Sequence, residues 1–278
     1  VSGAVWLASY PRSGNTWTRL ALRSLQAGGE DIALGDIANF GRMAARRALI
    51  DSALEIDSGL LTEAETRELR PDINAAIFSA PGEPQLCKVH DAWIVTQDGR
   101  PVFDAAFTAA TIYLVRDPRD VAVSWAKFMR WPLDRAIAFM GDPDAGLGSS
   151  TDQIGIQVRQ PMGTWSDHVL SWIDRSGLDP LVIRYEDMLA DPAAALRAMA
   201  KRLGWETTEA AIAGAVAVTG FDRLADKEAR TGFTERAPNT ERFFASGKSG
   251  TWRAALTPEQ AARIEREHEA VMARFAYH

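Results

Sequence analysis

Four side chains able to hold an anion fall within five residues: Arg12, Ser13, Asn15 and Thr16, set around Gly14. Ala4 to Ser9 is a short apolar run that reads as a buried strand. Tyr10 to Gly14 carries Pro11 and Gly14 and reads as a turn. From Asn15 onward Trp17, Leu20, Ala21 and Leu25 fall close to helical spacing. The first N–H groups of a helix have no internal partner, and the helix dipole adds partial positive charge at the same end. Arg12 places a full positive charge in that loop. The chemistry this favours is capture of a phosphate or a sulfuryl group. A strand, a turn and a helix that merely reverse the chain are the plain alternative. No Gly-x-x-x-x-Gly-Lys-Ser/Thr run is present, which removes the main support for an ATPase or GTPase.

Two further strand ends carry chemistry-bearing side chains. Gln85 to Val89 reads as the second strand and runs into Lys88-Val89-His90-Asp91. A single His at a strand end is, taken alone, a hydrogen-bonded residue of surface or core. Ala110 to Val115 reads as the third strand, followed by Arg116-Asp117-Pro118-Arg119-Asp120-Val121-Ala122-Val123-Ser124-Trp125. Asp117 and Pro118 predict a helix start, a capping side chain followed by a residue preset for the first turn. Val121, Trp125 and Phe128 share one face and are expected in the core.

Tyr10-Pro11-Arg12-Ser13-Gly14-Asn15-Thr16-Trp17 resembles the 5′-phosphosulfate loop of the sulfotransferases that use PAPS, 3′-phosphoadenosine 5′-phosphosulfate. The usual loop reads Tyr-Pro-Lys-Ser-Gly-Thr-Thr-Trp, so Arg12 and Asn15 are departures. Lys88-Val89-His90 is similar to the family's Lys-x-His unit, in which the His is the catalytic base. Such a base suits the step, because a neutral imidazole can take the proton of an acceptor hydroxyl as its oxygen attacks sulfur. Asp91 is a candidate to orient it. The run from Arg116 resembles the family's 3′-phosphate motif, which implies that Arg116 and Ser124 bind that phosphate through paired donors. Tyr185-Glu186-Asp187-Met188 resembles a segment whose Tyr lies at the nucleotide, and Thr219-Gly220-Phe221 one that borders the adenine. Tyr185, Thr219, Phe221 and Trp17 are therefore expected around the purine.

The closing element departs further. Gly247-Lys248-Ser249-Gly250-Thr251-Trp252 resembles the family's Arg-Lys-Gly-x-x-Gly-Asp-Trp, with Gly247, Gly250 and Trp252 matching. Ala245-Ser246 replace the Arg-Lys pair and Thr251 replaces Asp. Gly247 is carried over as a cofactor contact, and Lys248 and Arg242 are the nearest substitutes for the missing cations.

The elements that must position these residues follow an α/β rhythm. The resemblance implies a P-loop-like three-layer fold, a central parallel sheet flanked by helices, as a single domain over residues 1–278. Met43 to Leu54 and Thr62 to Leu69 read as helices, the latter opening with Thr62-Glu63-Ala64-Glu65 in capping-box form. Residues 30–82 are the expected location of part of the acceptor pocket. Trp131 to Met140 reads as a short helix. Gly141 to Gly155 reads as a surface loop, with a lid over the acceptor as its functional alternative. In the expected helix Gly163 to Ser176, Trp165, His168 and Trp172 read as core. Leu181 to Arg184 reads as a strand. Helices are expected from Asp191-Pro192 to Gly204, over Thr207 to Val218, and from the capping box Thr257-Pro258-Glu259-Gln260 to about Ala276. No long element stands out between Thr231 and Ser246.

Composition sets the outer limits. With 278 residues and 46% hydrophobic content, one large α/β domain with a sizeable core is the expected plan. A net charge of −6 argues against a general nucleic-acid or polybasic membrane binder, so an anionic cofactor must be met by local cations. The single cysteine, Cys87, excludes an internal disulfide framework, is expected in the core and fits a reducing cytoplasm. No signal peptide or membrane span is expected. No metal is expected, and no metal-ligand cluster stands out. The resemblance implies a PAPS-dependent sulfotransferase, with His90 expected as its base and Arg12 expected to stabilise charge on the leaving phosphosulfate oxygen. The expected acceptor is a small-molecule or natural-product hydroxyl. Two rivals stand beside it: an ATP-dependent kinase of related fold, and a nucleotide-binding or interaction module that has lost catalysis.

Overall fold

A computed structural model describes residues 3–38, 40–148, 155–236, 242–244 and 247–277. In chain order the elements are β1 (Ala4–Ser9), α1 (Asn15–Gln26), β2 (Arg42–Met43), α2 (Arg47–Leu54), α3 (Glu63–Phe78), β3 (Gln85–Val89), β4 (Thr108–Val115), α4 (Pro118–Met129) and α5 (Leu133–Met140). There follow β5 (Gly146–Leu147), β6 (Gln160–Pro161), α6 (Trp165–Leu170), β7 (Leu181–Arg184), α7 (Tyr185–Ala190), α8 (Pro192–Leu203), α9 (Glu209–Val218), α10 (Phe221–Thr231), α11 (Trp252–Ala255) and α12 (Pro258–Arg274). The chain divides into two compact units, Val1–Tyr10 with Arg42–Tyr113 and Phe139–Val182, and Pro11–Gly41 with Leu114–Ala138 and Ile183–His278.

The central parallel sheet has five strands in the order β2-β3-β1-β4-β7 with helices flanking it, and the first unit carries it except for the last two residues of β4 and of β7. β1 is buried along its whole length, as a central strand covered on both faces must be. It pairs in parallel with β3, from Ala4 opposite Gln85 to Ala8 opposite Val89, so Ser9 and His90 leave the two strands side by side. Trp6 anchors the core, edge-on to Phe78 and Phe103 at 5.1 and 5.0 Å. Cys87 is fully buried in β3, and burial pushes its thiol up to about 12.

Local signals place most helix starts. Thr62 accepts from the Glu65 N–H while the Glu65 carboxylate accepts from the Thr62 N–H, the reciprocal capping expected of that sequence. The expected helix from Met43 is shorter at its start: Met43 lies in β2, held opposite Lys88 of β3, and helix begins only at Arg47. The helix from Thr62 is longer than expected, running through the buried Pro71 to Phe78. After α6 the helix opens into a π turn over Ser171–Arg175. Within Gly141–Gly155, β5 pairs antiparallel with β6, and residues 149–154 of the proposed lid lie outside the described residues.

In the second unit α1 packs on α9 closely enough that a Cβ on Gly29 would stand 2.4 Å from the Ala211 carbonyl oxygen. Leu20, Ile32, Leu34, Ile37, Leu224, Phe233 and Phe244 form its apolar cluster. α10 is an element the sequence reading did not single out. Among the described residues no helix is long and apolar enough to cross a membrane, and no group of three or more His, Cys, Asp and Glu is placed to hold a metal ion.

Candidate active site

All residues expected at the cofactor lie in the second unit, around the loop that leads into α1. Gly14 stands at the helix N-cap with φ 97°, and no side chain caps α1. The N–H groups of the first turn have no acceptor within the helix itself. A Cβ at Gly14 would meet the Tyr185 ring at 2.8 Å, so glycine is needed here for close approach as well as for φ. Arg12 also has a left-handed φ of 72°, a strained setting for a residue other than glycine that its surroundings hold in place.

Those surroundings are specific. Arg12 Nε donates to Ser124 Oγ at 3.0 Å, and the guanidinium lies 4.6 Å from the Phe128 ring and 5.0 Å from the Phe243 ring. Burial, reinforced by the neighbouring Arg116, lowers the Arg12 pKa to about 10. Arg12 is thus a charged group at neutral pH whose charge is poorly solvated, which favours an anion beside it. Arg116 donates from Nη1 to the Arg12 carbonyl at 2.9 Å and from Nη2 to the Lys248 carbonyl at 3.2 Å. Its guanidinium stacks over the Tyr185 ring at 4.3 Å. The Arg116 Nε and the Ser13 hydroxyl are buried with no hydrogen-bond partner in the protein. Two guanidinium groups, an uncapped helix start and two unpartnered donors make a donor set that suits phosphate.

The residues expected around the purine also make contacts with one another. Trp17 Nε1 donates to the Thr219 carbonyl at 3.0 Å, and its ring meets Tyr185 edge-on at 5.9 Å. Gly247 has φ 55°, and a Cβ there would stand 2.3 Å from the Phe221 ring. Lys248 is exposed and contributes its carbonyl to Arg116. Arg242 is exposed, and Ala245 and Ser246 lie outside the described residues.

Two residues expected to supply donors have partners within the protein. Asn15 Oδ1 accepts from Arg19 Nε at 3.1 Å, and the Thr16 hydroxyl donates to Glu235 Oε2 at 2.8 Å. Glu235 also accepts from Arg19 Nη2 at 2.7 Å. No motif pointed to Glu235. Asp120 is a second residue the sequence reading left without a role. Its carboxylate accepts from the N–H groups of Gly250 and Trp252 at 2.6 and 3.0 Å and from the Thr251 hydroxyl at 2.9 Å, tying the closing element to α4. Its place inside the Arg116–Trp125 motif was the available signal.

His90 belongs to the first unit. It follows β3, is 9% exposed, and its Nδ1 lies 2.9 Å from the Ser9 carbonyl. A carbonyl only accepts, so Nδ1 carries the proton and a neutral His90 keeps its lone pair on Nε2. Asp91 does not serve as its orienting carboxylate. The Asp91 side chain is fully buried and forms an ion pair with the buried Arg70, whose attraction opposes the upward shift that burial imposes on the acid. Trp165, His168 and Trp172 are fully buried, as expected of a packing helix. Phe103 is fully buried in the core, and Trp93 is half-buried and donates from Nε1 to the Phe103 carbonyl at 3.0 Å.

A family model described as a sulfotransferase domain matches residues 2–276. Cytosolic sulfotransferase 17 of Arabidopsis thaliana is 28% identical over 167 residues, 55% of this chain and 46% of that protein. Cytosolic sulfotransferase 16 of the same plant is 30% identical over 169 residues, 55% of this chain and 48% of that protein. These matches thus span about half the length of either relative. Mouse sulfotransferase SULT7A1 complexed with PAP superimposes with a TM-score of 0.60 at 21% identity, covering 97% of this chain and 84% of that one. Retinol dehydratase in complex with androsterone and inactive cofactor PAP gives 0.61 at 21% identity, covering 97% and 80%. The shared architecture is the sulfotransferase fold.

Proposed function

The chain belongs to the sulfotransferase domain family, and from that premise we propose that it transfers a sulfuryl group from PAPS to the hydroxyl of a small-molecule or natural-product acceptor. PAPS supplies, when bound, a sulfuryl group already activated by a phosphate leaving group. The residues described above fit its product PAP, the 3′,5′-bisphosphate. Arg12, Ser13 and the N–H groups of Gly14 to Thr16 hold the 5′-phosphate, and Arg116 with Ser124 holds the 3′-phosphate. Trp17, Tyr185, Thr219 and Phe221 border the adenine, and Gly247 and Lys248 close over it. The Thr16 hydroxyl serves the phosphate only on releasing Glu235.

His90 acts as general base. Its Nδ1 proton is committed to the Ser9 carbonyl, so Nε2 takes the acceptor hydroxyl proton as that oxygen bonds to sulfur and the sulfur–phosphate bridge breaks. A base of this kind contributes about 10²–10⁴-fold. Arg12 stabilises the charge that develops on the bridging oxygen and stays protonated throughout. Retinol dehydratase, solved with androsterone or with retinol beside PAP, supports the small-molecule reading of the acceptor. The single buried cysteine suits a cytoplasmic setting.

The observation that carries the reading is the unpartnered Arg116 Nε and Ser13 hydroxyl, with Arg116 held on the main chain of the loop that carries Arg12. A thermal-shift titration with PAP, 5′-AMP and ATP tests it. Saturation at ~100 times the dissociation constant adds about 2.7 kcal/mol to the folded state. A shift specific to PAP is expected. A larger shift with ATP favours the kinase reading, and a PAP shift without turnover favours a nucleotide-binding module that has lost catalysis.

A further inference from the structure

His168 lies fully buried on α6, edge-on to the Tyr10 ring at 5.4 Å. Its Nε2 stands 3.1 Å from the His90 carbonyl and its Nδ1 2.8 Å from the Tyr113 hydroxyl. The carbonyl can only accept, so Nε2 carries the proton. Burial lowers the His168 pKa to about 4, which keeps the ring neutral, and Nδ1 is then the lone pair into which Tyr113 donates. The Tyr113 oxygen in turn takes a main-chain hydrogen bond from Tyr10. The Tyr10 N–H and the Ser9 carbonyl belong to one peptide unit, and the Ser9 carbonyl is the group that accepts from His90 Nδ1.

These contacts close a ring that begins and ends on His90. It runs from the His90 Nδ1–H to the Ser9–Tyr10 peptide, through Tyr113 to His168, and back to the His90 carbonyl. Only one direction is possible, because the two carbonyls cannot donate and the peptide N–H cannot accept. A chain polarised in one sense strengthens each of its members. The same helix and its π turn hold the residues that follow: Trp172 Nε1 donates to the Asp91 carbonyl and the Trp93 N–H to Ser171 Oγ, both at 2.9 Å. We propose that Tyr113 and His168 are positioning residues for sulfuryl transfer, locking His90 in its Nδ1–H tautomer and so keeping the Nε2 lone pair for the acceptor hydroxyl. The proposal rests on the reading of His90 as base. Neither residue touches substrate; both act through the main chain that carries His90.

The test uses the full chain labelled with ¹⁵N-histidine, whose four histidines are assigned by single substitutions. Ring-nitrogen spectra at neutral pH are compared for wild type, Tyr113→Phe, His168→Leu and His168→Gln. Wild type is expected to show His90 as a single Nδ1–H form. Tyr113→Phe and His168→Leu are expected to populate both tautomers. Gln, with an N–H donor and an oxygen acceptor on one planar group, is expected to restore the single form. These spectra need no acceptor. With PAPS and 4-nitrophenol, Tyr113→Phe is expected to lower kcat about ten-fold while KM for PAPS holds. An unchanged His90 pattern in Tyr113→Phe and His168→Leu, with only a lower melting temperature, overturns the proposal and leaves the pair as core packing. Wild-type turnover in His90→Ala instead removes the base reading, and the spectra still decide whether the ring sets the tautomer.

Discussion

Arg116 donates to the main-chain carbonyl of Arg12 at 2.9 Å, so the second basic residue of the site holds the backbone that carries the first. Arg12 keeps its left-handed φ within that grip. The two cations are one unit, although 104 residues separate them in sequence.

Arg116→Ala is therefore expected to act twice. Loss of the carbonyl contact loosens the loop for every nucleotide, and loss of the guanidinium removes the 3′-phosphate partner. Isothermal titration should show PAP losing far more affinity than 5′-AMP. Equal losses leave Arg116 with the loop-holding role alone.

Arg12→Ala is expected to abolish turnover, and Arg12→Lys to retain part of it, since Lys keeps the positive charge that Ala removes. The pH profile adds a check. Arg12 titrates at about 10, so PAP affinity carried by its charge should hold across neutral pH and fall only as pH rises through about 10. A loss of affinity near pH 8 would have to come from another group.

His90→Ala should lower kcat by about 10²–10⁴-fold while PAP affinity holds. Activity within a few-fold of wild type removes His90 as base.

Acid should unfold the protein partly through His168. Its folded pKa is about 4 against an unfolded value of 6.5, so between these values the unfolded chain binds more protons and stability falls as pH falls. The full difference is roughly 3 kcal/mol, present above pH 6.5 and lost by about pH 4. Urea unfolding of His168→Gln should lack this part of the pH dependence. An identical slope in both proteins places the acid sensitivity elsewhere.

Glu235→Gln removes a negative charge from the Thr16 hydroxyl and Arg19 while keeping a hydrogen-bonding group there. PAP is expected to bind about five-fold tighter, roughly 1 kcal/mol for one like charge near the site. Weaker binding would show that the carboxylate holds the loop in its working shape.

What was legible in the sequence was local. Pro11 and Gly14 marked the turn after β1, Asp117 and Pro118 opened α4, and the capping boxes at Thr62 and Thr257 opened α3 and α12, because caps and turns are written in neighbouring residues. What depended on distant partners was not. Met43 follows helical spacing, yet it pairs with Lys88 as a two-residue strand. α10 was hidden by its charged composition: Lys227 is buried against Asp31, and the Glu228 carboxylate takes the N–H groups of Phe243 and Phe244. Asp91 looked like a partner for its neighbour His90 and instead found Arg70 on α3. Pairing across the chain also put Glu235 against Thr16 at the start of α1, with no motif to announce it.

Cys87 gives the protein a practical property. It is the only thiol in the chain, and its pKa of about 12 leaves almost no thiolate at neutral pH. A maleimide dye should pass over the folded wild type. A cysteine introduced at the exposed Ser249, next to the Lys248 carbonyl that Arg116 grips, would then accept a single fluorophore. Nucleotide arrival could be followed optically, in real time and before any acceptor is known.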